Sequence, residues 1–116
     1  MPRDENSQQH APHFAGFFTV DDIVCGVGQM TREELIRELV RRLAANHPEL
    51  GPAAPLADAV LAREAVSATI LAPGVALPHA RIAGLPRLHV AIATSAEGIP
   101  FAADRPPARL VILMLV

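Results

Sequence analysis

The chain has no tryptophan, no tyrosine and no lysine, and only one of its 116 residues is a cysteine. A single cysteine excludes an intrachain disulfide framework and fits a reducing, cytoplasmic compartment. Four phenylalanines and a net charge of −2 provide neither an aromatic platform nor a basic patch, which disfavours nucleic-acid binding. The longest apolar run, Leu110 to Val116, is far shorter than the roughly 20 residues of a membrane helix, so we expect no membrane insertion.

The overall composition of the chain indicates one folded domain. Hydrophobic residues make up 51% of the chain and charged residues 19%, which excludes a disordered protein. Residues 1–16 are polar and irregular and lack the apolar segment of a secretory signal, so we expect a mobile tail followed by a domain over residues 17–116. His10 and His13 lie in that tail without further metal ligands beside them, and we interpret them as solvated.

Two helices are predicted. Thr31, with Glu34 three residues later, forms a capping-box motif. Helical spacing then continues to about Ala45 in the apolar residues Leu35, Ile36, Leu39, Val40 and Leu43. His47 follows this helix and shows no role beyond the helix dipole. A second helix is predicted from about Leu56 to Glu64.

Strands account for most of the remaining chain. A first strand is predicted over Phe17–Val27, with a turn at Asp21-Asp22 and with Cys25 as a buried apolar residue. Later strands are expected near residues 69–71, 75–77, 88–94 and 110–116, with a loop from Glu97 to Pro107. His89 falls in an apolar strand and is expected to be structural. The predicted fold class is α/β, with a mixed sheet flanked by helices.

The segment GVALPHAR at residues 74–81 carries the strongest chemical signal. Pro78 lacks an N–H for strand pairing and should end the pairing there, leaving His79 at a strand end. Histidine can act as a nucleophile or proton carrier near neutral pH, and Arg81 offers a planar set of donors for phosphate oxygens. For a lone Pro-His pair, a turn histidine without chemistry is the simpler interpretation.

The residues upstream of this segment favour a chemical role for His79 over a simple turn. Arg63-Glu64, then Thr69, then Gly74 and the Leu-Pro-His-Ala segment reproduce a known spacing. This pattern resembles the signature of the enzyme IIA domain of the mannitol/fructose class in the phosphoenolpyruvate-dependent phosphotransferase system (PTS EIIA type 2). The resemblance runs from about Thr19 to the last residue. Ala72 stands where the family often has glycine, so the turn before His79 departs from the pattern.

The resemblance implies an α/β sandwich with helices on both faces, and a phosphoryl carrier. His79 would take phosphate on Nε2 from the small carrier protein HPr and pass it to a cysteine of a IIB domain. Arg63 would neutralise the phosphoryl oxygens, Thr69 would orient the ring or donate its hydroxyl, and Arg81 would assist. If arginine supplies the positive charge, neither a metal nor a cofactor is required.

Alternatives remain open from the sequence. The same domain would also serve as a phosphorylation-dependent regulator of a target protein, without a sugar of its own. A third alternative is a plain α/β domain in which His79 is a turn residue and Arg63 forms an exposed salt bridge with Glu64. The family has a second histidine beyond the strand that matches residues 110–116. We therefore expect a C-terminally incomplete domain that transfers phosphate slowly and self-associates through Leu110–Val116.

Overall fold

The first helix begins where the capping motif predicts. In the computed structural model, which describes residues 22–116, helix α1 spans Arg32–Asn46, and the hydroxyl of Thr31 accepts a hydrogen bond from the Glu34 N–H at 3.0 Å. The Glu34 carboxylate accepts the Thr31 N–H in return at 2.8 Å. The predicted tail and the beginning of the predicted first strand lie outside the described residues. The five predicted apolar residues of α1 are all buried, which confirms the predicted helix face.

The second helix is longer than its apolar pattern indicates. After a 3-10 helix at Pro48–Leu50, helix α2 spans Ala53–Val66, starting three residues before the predicted position and ending two after it. The N-terminal extension comes directly after Pro52, whose φ of −64° suits the residue before a first helical turn. Its last turn carries Arg63, so the end of α2 brings a cation toward the edge of the sheet.

The strands form one mixed sheet in which the last strand is central. Strands β1 to β6 span, in chain order, Ile23–Val24, Ile70–Ala72, Val75–Ala76, His79–Ala80, His89–Ile99 and Ala108–Leu115. The sheet order is β1-β5-β6-β3-β2, and β4 also pairs with β6. Strand β6 runs antiparallel to β5 and parallel to both β3 and β4. The predicted α/β class with a mixed sheet is confirmed.

The core lies between the two helices and one face of the sheet. Alternate residues of β5 and β6 face α1 and α2 and are fully buried, as expected for strands that place successive side chains on opposite faces. This buried sheet face comprises Ala91, Ala93, Val111, Leu113 and Leu115. Burial of each Leu or Val side chain contributes about 1.5–3 kcal/mol to the hydrophobic stabilisation.

The opposite face of the sheet is only half-covered in the described part of the chain. Leu110, Ile112 and Met114 of β6 are partly exposed and lie outside the core cluster, together with Ile92 of β5. The family resemblance implies helices on this face as well, whereas α1 and α2 both contribute their buried residues to the first face. Among residues 22–116, no helix has the length and apolar character needed to cross a bilayer.

Two local expectations are wrong. Cys25 is exposed, because strand β1 is only two residues long and the chain leaves the sheet at this residue. Strand β5 continues to Ile99, so Glu97 lies in a strand and not in the predicted loop. Its pairing with β6 is irregular between Thr94 and Ile99, which is why the alternating pattern is lost there.

We expect the half-covered face to drive self-association, since burying a partly exposed Leu or Ile side chain contributes about 1.5–3 kcal/mol. The Leu110→Thr variant should shift the sedimentation velocity profile toward monomer. As a control, Leu71→Thr changes an exposed leucine in the edge strand β2 and should leave the profile unchanged. A wild-type chain that sediments as a monomer at high concentration would contradict this expectation.

Candidate functional site

Strand β4 places His79 inside the sheet, not beyond its end. His79 is in register with Met114 of the central strand, and the Met114 N–H donates to the Pro78 carbonyl at 3.0 Å. The Val116 N–H donates to the Ala80 carbonyl at 2.9 Å. The expectation that pairing ends at Pro78 is therefore wrong. A proline lacks only the donor, so its carbonyl still joins the ladder, and pairing with β6 resumes at once.

The imidazole of His79 is oriented by its own backbone. Its Nδ1 lies 3.0 Å from the Leu77 carbonyl oxygen. Because a carbonyl can only accept, Nδ1 carries the proton in this hydrogen bond, and Nε2 keeps a free lone pair. The Leu77 N–H donates in turn to the Thr69 carbonyl at 2.8 Å, which fixes the residue that holds the ring. The half-buried ring thus presents Nε2 as its nucleophilic atom.

Two arginines share a surface cavity with this ring. The cavity is lined by Ala59, Arg63, His79, Ala80, Arg81 and Val116. Arg63 comes from the last turn of α2, and its Nη1 donates to the Ser67 carbonyl at 3.0 Å. No carboxylate in residues 22–116 lies within salt-bridge distance of Arg63, so the alternative of a plain Arg63–Glu64 salt bridge is not what the structure shows. Three of the four predicted site residues are therefore together.

Thr69 lies outside that lining. Its N–H faces the Glu64 carboxylate at 3.3 and 3.4 Å, and its carbonyl accepts from Leu77. Its hydroxyl oxygen is buried without a hydrogen-bond partner among the described residues. Thr69 thus connects to His79 through backbone hydrogen bonds by way of Leu77, and a direct role of its hydroxyl stays a prediction.

Glu64 is the residue whose importance the sequence analysis missed. It is only 2% exposed, and it joins the end of α2 to the N–H of Thr69. Burial raises the pKa of its carboxyl, against the opposing hydrogen bond from Thr69 and the charges of Arg32, Arg63 and His79. The sequence feature that could have identified Glu64 is its position beside Arg63 in the motif. The site therefore includes a buried carboxyl close to its cationic groups.

The turn before the site is formed by Pro73 and Gly74 despite the altered glycine pattern. Strands β2 and β3 form a hairpin joined by Pro73 and Gly74, and Gly74 has a φ of +83°. Proline followed by a glycine of positive φ is typical of a type II turn. The Gly74 carbonyl accepts from the N–H groups of Arg109 and Leu110, which ties the turn to the start of β6. This sets the register of the strand that leads to His79.

Two other histidines lie away from this cavity. His89 is 1% exposed and hydrogen-bonded, in agreement with the structural role predicted for it. His47 has more than the predicted interaction with a helix end, because its ring contacts both the buried Asp22 carboxylate and His89. The sequence could not show this, since the three residues are far apart along the chain.

The geometry of the cavity suits chemistry on an anionic group. An imidazole nitrogen with a free lone pair is a nucleophile, and guanidinium groups offer planar donors for the oxygens of a phosphoryl group. The described side chains supply positive charge without a metal ligand set at this cavity. Such an arrangement fits transfer of a phosphoryl group to and from histidine.

Comparison with known proteins identifies the class. The family model for the phosphoenolpyruvate-dependent sugar phosphotransferase system, EIIA 2, matches residues 16–116. The chain belongs to this family, which confirms the resemblance inferred from the sequence.

Individual relatives agree with that assignment. The fructose-specific EIIA component of the PTS system of Haloferax volcanii is 43% identical over 60 residues, which are 51% of this chain and 39% of that protein. The nitrogen regulatory protein IIA-Ntr of Neisseria meningitidis aligns with a TM-score of 0.78 and 26% identity, over 90% of this chain and 70% of that one. Enzyme IIAMTL of Escherichia coli, in complex with phosphorylated enzyme IIBMTL, aligns with a TM-score of 0.68 and 26% identity, over 84% and 68%.

The raised pKa of Glu64 gives a stability prediction with a definite sign. The folded chain holds the Glu64 proton to higher pH than the unfolded chain, so the wild type loses stability as pH rises through that interval. Glu64→Gln keeps an oxygen for the Thr69 N–H but removes the titration. We expect thermal melts at stepwise pH to show the variant gaining stability over wild type as pH rises. Glu33→Gln, at an exposed residue of α1, should show no such trend. A difference between Glu64→Gln and wild type that is independent of pH would refute this.

Proposed function

We propose that this chain is a phosphoryl carrier of the bacterial type of sugar phosphotransferase system, with His79 as the acceptor. The observation that carries the proposal is the Nδ1 hydrogen bond of His79 to the Leu77 carbonyl, which leaves Nε2 as the reactive nitrogen beside Arg63 and Arg81. Family membership supports the same role. The chain would act in the cytoplasm, as its carrier partners do.

The proposed step exchanges one phosphorus–nitrogen bond for another. The lone pair of His79 Nε2 attacks the phosphorus of a phosphohistidine on an HPr-like carrier, and the phosphorus–nitrogen bond of the donor breaks as the new bond forms. The donor imidazole leaves with the electron pair of its broken bond. The proton stays on Nδ1 of His79, which donates it in a hydrogen bond to the Leu77 carbonyl throughout, so no base is needed to activate the ring.

Positive charge at the cavity would stabilise the transferring group. Arg63 approaches from the end of α2 and Arg81 from the residue after β4, so the two guanidinium groups reach His79 from different elements. The equatorial oxygens of a phosphoryl group need hydrogen-bond donors most during transfer, because the donors then stabilise the transition state. We assign Arg63 to these oxygens, with Arg81 as a further donor and the buried Thr69 hydroxyl as a positioning group.

The next acceptor would be a cysteine of a IIB domain. The support comes from the solved complex of Escherichia coli enzyme IIAMTL with phosphorylated enzyme IIBMTL, whose IIA component shares the fold of this chain. A thiolate accepts the phosphoryl group as the phosphorus–nitrogen bond to His79 breaks, and the imidazole is restored. The sugar specificity of such a pathway would lie in the partner domains.

A regulatory role is the second candidate. One observation favours it: the nitrogen regulatory protein of Neisseria meningitidis aligns more fully with this chain than the mannitol enzyme does, with the higher TM-score. In that case the phosphorylated state of His79 would control binding to a target protein, with no sugar involved. The chemistry of phosphate acceptance is the same in both candidates, and they differ in the fate of the group.

The central test is phosphorylation of the intact chain. After incubation with phosphoenolpyruvate, enzyme I and HPr, intact mass should show one acid-labile phosphoryl group, and His79→Ala should show none. The variant should keep its fold, because a half-exposed side chain in a two-residue strand contributes little packing. His47→Ala, at a histidine outside the cavity, should still be phosphorylated. An acid-labile phosphate on His79→Ala would disprove the assignment, and transfer onward to a IIB cysteine separates carrier from regulator.

The arginine of α2 gives a prediction on rate. Arg63→Ala should slow phosphoryl transfer roughly a hundredfold or more, since one donor to a developing charge is commonly worth a few kcal/mol. Arg63→Lys should restore only part of the rate, because an ammonium cannot bind two oxygens as a planar guanidinium does. Arg105→Ala is the matched control, since Arg105 precedes β6 at the end opposite His79. Equal single-turnover rates for wild type and Arg63→Ala would remove Arg63 from the site.

A further inference from the structure

A second cluster of chemically capable side chains lies on the other side of the central strand. His47 follows α1, Glu49 lies in the 3-10 helix, and His89 begins β5. Glu49 Oε2 is 3.0 Å from His89 Nε2 and 3.8 Å from His47 Nδ1. One ligand atom from each of the three residues lies within 4.8 Å of the others. The phosphoryl-transfer proposal uses none of these residues.

The remaining nitrogen of each ring is already bonded. His47 Nε2 lies 3.1 Å from Oδ2 of Asp22, whose side chain is fully buried. His89 Nδ1 lies 3.1 Å from the Arg87 carbonyl oxygen. Both partners are acceptors, so these two nitrogens carry protons, and the lone pairs of His47 Nδ1 and His89 Nε2 are left toward Glu49.

This leaves acceptors facing each other across a short distance. With their outer nitrogens as the donors, the neutral forms of the two rings direct their remaining lone pairs toward the Glu49 carboxylate. Acceptors at 3.0 Å repel unless a cation or an extra proton lies between them. An outer carboxylate or carbonyl on the far nitrogen of a histidine is also the arrangement that orients metal-bound histidines in proteins.

We propose that His47 Nδ1, Glu49 Oε2 and His89 Nε2 form a binding site for a zinc ion. Zinc takes imidazole and carboxylate ligands at about 2.0–2.2 Å in tetrahedral geometry, which places ligand atoms roughly 3.3–3.5 Å from one another. The observed separations of 3.0 and 3.8 Å from Glu49 lie on either side of that value, and the two ring nitrogens lie within 4.8 Å of each other, so the side chains close on the ion as it binds. Water completes the fourth position, and Asp22 and the Arg87 carbonyl hold the rings.

One nearby cation competes with the ion. Arg87 Nη2 lies 3.8 Å from Glu49 Oε2, and the Arg87 side chain is 58% exposed, so it is free to turn into solvent when the metal binds. The contrasting interpretation is a metal-free cluster in which a doubly protonated His89 pairs with Glu49. The two interpretations predict different responses of the protein to added zinc.

The test uses the untagged full chain after treatment with a chelator. To keep the tail histidines out of the measurement, the reference is the His10→Gln/His13→Gln variant. Calorimetric titration with zinc chloride should give one ion per reference chain and a raised melting temperature, whereas magnesium chloride should give neither. His79→Ala in this background should bind zinc as the reference does, since His79 is not in the cluster.

Single substitutions then assign the ligands. Glu49→Gln, at a half-exposed side chain that need not disturb the core, should weaken zinc binding at least tenfold. Arg87→Gln keeps the backbone carbonyl but removes the competing cation, so it should tighten binding. Glu33→Gln is the matched control and should change nothing. Absence of zinc binding in the reference, unchanged affinity in Glu49→Gln, or weaker binding in Arg87→Gln would each overturn the proposal.

Discussion

Backbone pairing along the central strand is the constraint on which both histidine sites depend. Strand β6 binds β4 along one edge and β5 along the other, and its last residues are in register with His79 on the first side and His89 on the second. The Val116 carbonyl extends this pairing by accepting the Ile82 N–H at 2.7 Å. Loss of these few hydrogen bonds would release His79 from the sheet and detach β4 from the position where α2 reaches it. The backbone pairing of β6 is thus a requirement of the site as well as of the sheet.

The proline before His79 has a physical role that the sequence pattern alone does not reveal. Between β3 and β4 the chain leaves the ladder with β6 at Leu77, and pairing with the same strand resumes at the Pro78 carbonyl. That interruption frees the Leu77 carbonyl from strand pairing, and the freed oxygen holds Nδ1 of the imidazole. A regular strand would have directed this carbonyl to a neighbouring strand and left the ring without its orienting acceptor.

Local chemistry explains what the sequence predicts correctly. The capping box at Thr31 and the apolar spacing that follows it determine α1 within the chain segment itself. The position of Arg63 at the His79 cavity is expected only from the family resemblance. Local chemistry does not determine the contacts between segments that are distant in the sequence. The burial of Glu64 depends on how the end of α2 meets Thr69, and the approach of His47 to His89 depends on the register of β5. No local periodicity encodes these contacts, so they become visible only in the folded chain.

The adjacent residues Arg63 and Glu64 place a cation in the open cavity and a carboxyl in the protein interior at the same helix end. Successive residues of a helix point about 100° apart, so Arg63 lines the open cavity while Glu64 lies buried against Thr69. The carboxyl offsets part of the positive charge that gathers around His79, and burial already favours its protonated form by raising its pKa. Negative charge arriving on His79 would favour that protonated form further, because like charges at short range disfavour ionisation. In the proposed phosphoryl carrier, the proton on Glu64 and the phosphoryl group on His79 would therefore be linked by electrostatics, and the buried carboxyl would take up a proton as the site is filled.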